Sequence, residues 1–133
     1  MEKKATGFAS PMQGYEEQNI DLNRLLIRNP PATYFGRLDT GDMENLGLPR
    51  GSLLIIDRSK DPKPNSLVLL RHEGQFLCRQ MVSRKGNTCF TNGKEEIRPT
   101  TDDTEILGVI TASVKTYEEI PHIQINPTNL KIL

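Results

Sequence analysis

From Ala32 onward the apolar positions come in short runs, separated by glycine, proline and asparagine, which is the pattern of a strand-rich domain. Thr33-Tyr34-Phe35 is β-prone. Ser52-Leu53-Leu54-Ile55-Ile56-Asp57 follows Gly51 and precedes a polar turn, which predicts a buried strand. Asp61-Pro62-Lys63-Pro64-Asn65 reads as a turn. Leu67–His72 and Gln75–Val82 flank Glu73-Gly74, the signature of a tight hairpin. Lys85-Gly86-Asn87 leads into a strand at Thr88-Cys89-Phe90, and Asn92-Gly93 marks another turn. Glu105–Val114 predicts a long last strand, bulged or bent at Gly108.

The flanks differ from this centre. Residues 1–19 are polar and carry Gly7, Pro11 and Gly14, so they read as an extended N-terminal arm. In Ile20–Ile27 the apolar positions 22, 25 and 26 share a helical face, Asp21 suits a first turn, and Asn29-Pro30-Pro31 ends the helix. The predicted organisation is an arm over 1–19, an all-β, mostly antiparallel domain over 20–117, and a tail over 118–133. The tail alternates weakly through Ile120, Ile123, Ile125, Leu130 and Ile132; an edge strand and an appendage packed on a partner are both open.

Composition narrows the function classes. The 133 residues suit one compact domain, and 35% hydrophobic content with no tryptophan supports a modest core. Charge balances at 17 basic and 17 acidic residues, so nothing pulls the whole chain toward nucleic acid, and direct DNA binding is not expected. Arg50, Arg58 and Lys60 alternate with Asp57 and Asp61 as a solvated rim, and Arg84-Lys85 is a two-residue basic turn. The apolar runs are too short to cross a bilayer, and the N-terminus has no signal-peptide core, so the expected location is cytoplasmic. Cys78 and Cys89 lack metal-ligand spacing and read as small core residues; no metal or other cofactor is expected. His72 and His122 have no partner at catalytic spacing and read as surface residues.

Several segments together carry a resemblance. Gly7-Phe8-Ala9-Ser10-Pro11, Tyr15–Asn23, Ala32-Thr33-Tyr34-Phe35 and Gly51–Asp57 resemble the UmuD branch of the LexA/UmuD self-cleaving serine peptidases, from Gly7 to about Lys115. The resemblance implies a β domain that dimerises. It also implies an arm whose cleavage is promoted by a RecA filament, and a Y-family polymerase subunit as partner of the trimmed form. It places the cleavage point at Thr6-Gly7. Six residues precede Gly7, so the chain is similar to the trimmed form, and a helix-turn-helix repressor domain is not expected.

The departures lie at the reacting groups. The family uses a serine nucleophile and a lysine base whose pKa is lowered by burial. An ungapped match puts Asp42 at the serine position and Arg79 at the lysine position. A second alignment deletes the serine and matches Thr40-Gly41-Asp42 to the family's serine-glycine-aspartate. Neither supplies a serine. Arg79 cannot be the base under either, because a guanidinium keeps its proton far above neutral pH. Without that base, Thr40 is not a nucleophile. The expected protein is thus a non-catalytic UmuD-like accessory factor of the SOS response. Its expected partners are a second copy of itself, a Y-family polymerase subunit, a RecA filament or an active relative. The alternatives are an active RecA-promoted autopeptidase and a phage or plasmid protein using the scaffold for another interaction. If Asp42 and Arg79 replace the two reacting groups, they are expected to meet in a salt bridge.

Overall fold

The computed structural model describes residues 20–99, 103–118 and 130–132. Eight strands form one sheet. They are β1 (Thr33–Arg37), β2 (Leu53–Asp57), β3 (Leu67–His72), β4 (Gln75–Arg84), β5 (Asn87–Thr91), β6 (Glu96–Ile97), β7 (Thr104–Val114) and β8 (Leu130–Ile132). Their order across the sheet is β6-β5-β4-β3-β7-β2-β1-β8. Every neighbouring pair is antiparallel except β1 with β8. The fold is all-β and mostly antiparallel, as the apolar pattern predicts.

Turn chemistry sets the register of the central hairpins. Glu73 and Gly74 join β3 to β4 with φ of 50° and 78°, and Lys85 and Gly86 join β4 to β5 with φ of 53° and 82°. Positive φ at both central residues is what a two-residue primed turn needs, and its twist matches that of the strands it joins. The resulting register pairs Leu69 with Cys78 and Val68 with Arg79.

The long strand β7 fits between β3 and β2 by bulging twice. Leu107 has no opposite residue on β3, and Thr111 has none on β2. The expected irregularity at Gly108 therefore belongs to its neighbour Leu107. Gly108 itself is required by proximity. A Cβ there would lie 2.7 Å from Ile56 Cγ2 and 3.2 Å from the Asp57 carbonyl oxygen.

Two buried clusters hold the sheet. One joins Leu38, Met43, Leu48, Leu54, Ile56, Leu69, Cys78 and Ile110; the other joins Val68, Leu70, Phe90 and Val109. Cys78 sits in the first cluster, and both Cys78 and Cys89 are free, buried thiols, as expected of small core residues.

The expected helix is a single short turn. It covers Leu22–Leu26, with Asp21 capping the Asn23 amide at 2.9 Å. Leu22 and Leu25 remain more than half exposed, at 63% and 58%. A single turn carries too few hydrogen bonds to hold itself, and these leucines do not reach the core. In the tail, Leu130–Ile132 form an edge strand parallel to β1. His122 and the remainder of the tail from Glu119 lie outside the described residues, as does the arm.

Candidate functional site

The site is built on the loop from Leu38 to Ser52. Its neck is closed by two backbone hydrogen bonds, Leu38 N–H to the Ser52 carbonyl at 3.0 Å and Gly51 N–H to the Leu38 carbonyl at 2.7 Å. Three side chains, Leu38, Met43 and Leu48, plug the loop into the first core cluster. Met43 is fully buried. Its carbonyl also accepts from the Leu46 and Leu48 amides, at 3.0 and 3.1 Å. Glu44–Leu46 forms a 3-10 turn that Gly47 ends at φ 84°. Arg50 donates through Nε and Nη2 to the Asp39 carbonyl at 3.1 and 2.8 Å, tying the two limbs together. Asn45 lies beside Gly93 so closely that a Cβ on Gly93 would stand 3.0 Å from the Asn45 Cβ. This packs the loop against the turn after β5.

Met43 and Cys78 belong to the same buried cluster. Asp42 is the residue before Met43, and Arg79 is the residue after Cys78. The fold thus brings the neighbourhoods of the two candidate residues together, although they are far apart in sequence.

The side chains do not complete the expected pair. Asp42 is exposed, and its amide makes one long contact, 3.4 Å, to Thr40 Oγ1. Arg79 is buried, at 6% exposure. Its Nη1 turns back onto the Cys78 carbonyl at 2.7 Å, and its Nε has no hydrogen-bond partner. No Asp42–Arg79 salt bridge forms, so this expectation is corrected. An exposed carboxylate keeps its hydration, and drawing it into a dry contact would cost more than a single ion pair returns. Thr40 is half-buried, and its Oγ1 accepts from the Asp42 amide. Thr6 and Gly7 lie outside the described residues.

The guanidinium affects its neighbour. Burial pushes the Cys78 thiol up to about 12, and the charge of Arg79 acts in the opposite direction without cancelling this. The thiol is therefore neutral and inert near pH 7. An acidic group with a raised folded-state pKa favours folding below its unfolded pKa and loses that contribution as pH rises through the folded value. Stability is expected to fall with pH from about 9 toward about 12. The fall should be shallower in Cys78→Val, as followed by urea midpoints across that range. Equal alkaline slopes in the two proteins would contradict the assignment.

Other expected features fare variously. His72 is not a free surface residue: its Nδ1 lies 2.7 Å from Thr104 Oγ1, across the β3–β7 pair. Cross-strand neighbours separated by 32 residues leave no trace in local sequence. In the basic rim, Arg58 donates to the Tyr34 hydroxyl at 2.6 Å and stands 5.2 Å from the ring centroid. Among the described residues, no cluster of His, Cys, Asp and Glu could hold a metal ion, and no helix is long and apolar enough to cross a membrane.

The Peptidase S24-like family model matches residues 1–111. The chain belongs to the S24 peptidase-like family, in its UmuD branch. Protein MucA of Salmonella typhimurium is 31% identical over 118 residues, covering 86% of this chain and 81% of MucA. Protein SamA of Salmonella typhimurium is 30% identical over 115 residues, covering 85% and 81% of the respective chains. Protein ImpA of Escherichia coli is 27% identical over 117 residues, covering 88% and 75%.

Proposed function

We propose that this UmuD-like chain is a non-catalytic accessory protein of the SOS response. Its relatives are UmuD-type proteins of SOS mutagenesis, which supports an SOS-related role. The observation that carries the non-catalytic reading is Arg79. A buried guanidinium, bonded through Nη1 to a backbone carbonyl, stays protonated and cannot accept a serine or threonine proton. With no serine under either alignment and Arg79 in place of a base, the fold retains a peptidase frame for binding without the chemistry of cleavage. In this reading the chain works in the cytoplasm as a homodimer. It joins a Y-family polymerase subunit, a RecA filament or an active relative whose cleavage it alters.

Exposed apolar side chains at the start of the domain support the dimer. Ile20, Leu22 and Leu25 are 54%, 63% and 58% exposed, more apolar surface than a single helical turn leaves open without a purpose. Sedimentation velocity at micromolar concentration is expected to show a dimer, with the Leu22→Asp, Leu25→Asp variant shifted to monomer. A monomeric parent chain across that range would remove the dimer from this reading.

A further inference from the structure

Along the chain, Arg84-Lys85 is an isolated basic turn. The fold brings a third cation to it. The two-residue turn at Lys85-Gly86 sets Arg84 and Asn87 opposite each other at the end of the β4–β5 hairpin. β6 pairs with Phe90 and Thr91 and with no earlier residue of β5. Pro99 has no backbone donor with which to extend that pairing. Beyond Ile97 the chain leaves β5, and a wedge of about 540 Å³ opens between Asn87–Cys89 and Arg98-Pro99.

The charge in this wedge is uneven. Arg84 Nε is held by Glu96 Oε2 at 2.9 Å. Lys85 and Arg98 form no ion pair among the described residues. Three cations therefore face one carboxylate, on a chain whose total charge is zero. Asn87 and Thr88 are exposed and add uncharged hydrogen-bonding groups to the wall.

We propose that this wedge binds a phosphodiester of single-stranded nucleic acid. Two guanidiniums suit phosphate oxygens through their two-point forks, and Lys85 adds a point charge. Glu96 fixes Arg84 in place, leaving Lys85 and Arg98 as the cations that gain a partner. The volume exceeds what a lone carboxylate would fill. No aromatic side chain lines the wall, so bases have nothing to stack on, and contact is with the backbone, without sequence preference. A peptide strand would need apolar pockets for alternate side chains, which this wall does not provide. The neutral chain gives no long-range steering, so binding is weak on its own and serves a protein already held near DNA by a partner.

The test is fluorescence anisotropy of the full chain with a labelled oligothymidylate in low salt. A dissociation constant on the order of 10⁻⁵ M is expected, within the usual range for non-specific contacts. Lys85→Glu with Arg98→Glu should weaken binding at least about tenfold and reduce the salt slope by about 0.7, from the one phosphate no longer neutralised on a single strand. Both side chains are exposed, so the double variant should melt like the parent. An abasic oligonucleotide should bind within about twofold of the parent ligand, since base stacking is not used. The proposal is overturned by affinity and salt slope unchanged in the double variant, or by no binding at low salt. It is also overturned if polyglutamate competes as well as the oligonucleotide, which would make the wedge an acidic-peptide site.

Discussion

Met43→Ala is expected to cost about 4 kcal/mol of stability, near the upper end for a buried methionine truncation. Met43 has no exposed surface, and it is the most deeply buried of the three side chains that plug the loop into the core. Its side chain joins residues from the loop, β2, β3, β4 and β7 in one cluster. Loss of the side chain removes transfer energy and leaves a cavity that the closed neck of the loop cannot collapse to fill. The carbonyl bonds to Leu46 and Leu48 depend on that anchor, so their amides should lose hydrogen-exchange protection beyond the global change. Urea unfolding checks the magnitude: the midpoint should drop with the m-value unchanged. A loss below about 1 kcal/mol would mean that the loop is held by something other than this plug.

The second large effect is an absence of chemistry. In a serine–lysine autopeptidase, a neutral lysine removes the serine proton as the hydroxyl attacks the amide. Arg79 cannot be neutral, and its Nη1 is already engaged by the Cys78 carbonyl. Asp42 is solvated and offers a carboxylate, a weak nucleophile toward an amide with no acid to protonate the leaving nitrogen. Loss of the nucleophile and base of a hydrolase removes on the order of a millionfold in rate. Self-cleavage should therefore be undetectable over hours, with or without a RecA filament.

The strands were legible in the sequence because their signals are local. Leu67–His72, Glu73-Gly74 and Gln75 onward combine apolar runs with a turn that needs positive φ, and the structure has the hairpin at those residues. The family, too, was legible, because its segments keep their spacing. What sequence could not supply depends on partners distant along the chain. The His72–Thr104 contact and the wedge joining Arg98 to Arg84-Lys85 arise from strand register. β6 has two residues, too few for any periodicity, and β8 is an edge strand parallel to β1 in a tail whose alternation is weak. The short helix was legible from the spacing of Leu22, Leu25 and Leu26, but not that the first two would stay exposed.

At the site, residue types could be read from the sequence and their geometry could not. Neither alignment offers a serine, and Arg79 excludes a neutral base from its chemistry alone. The expected Asp42–Arg79 bridge followed from assuming that replaced groups keep the contact of the originals. A guanidinium is larger than an ammonium and can reach a carbonyl of its own strand, and Arg79 does so at the Cys78 carbonyl.

The most direct measurement is the intact mass of the purified chain after incubation with RecA, a nucleoside triphosphate and single-stranded DNA. The account predicts a single species at the full-chain mass, unchanged from a control without RecA. A fragment beginning at Gly7, produced by the parent chain and lost in Thr40→Ala or Asp42→Ala, would contradict it.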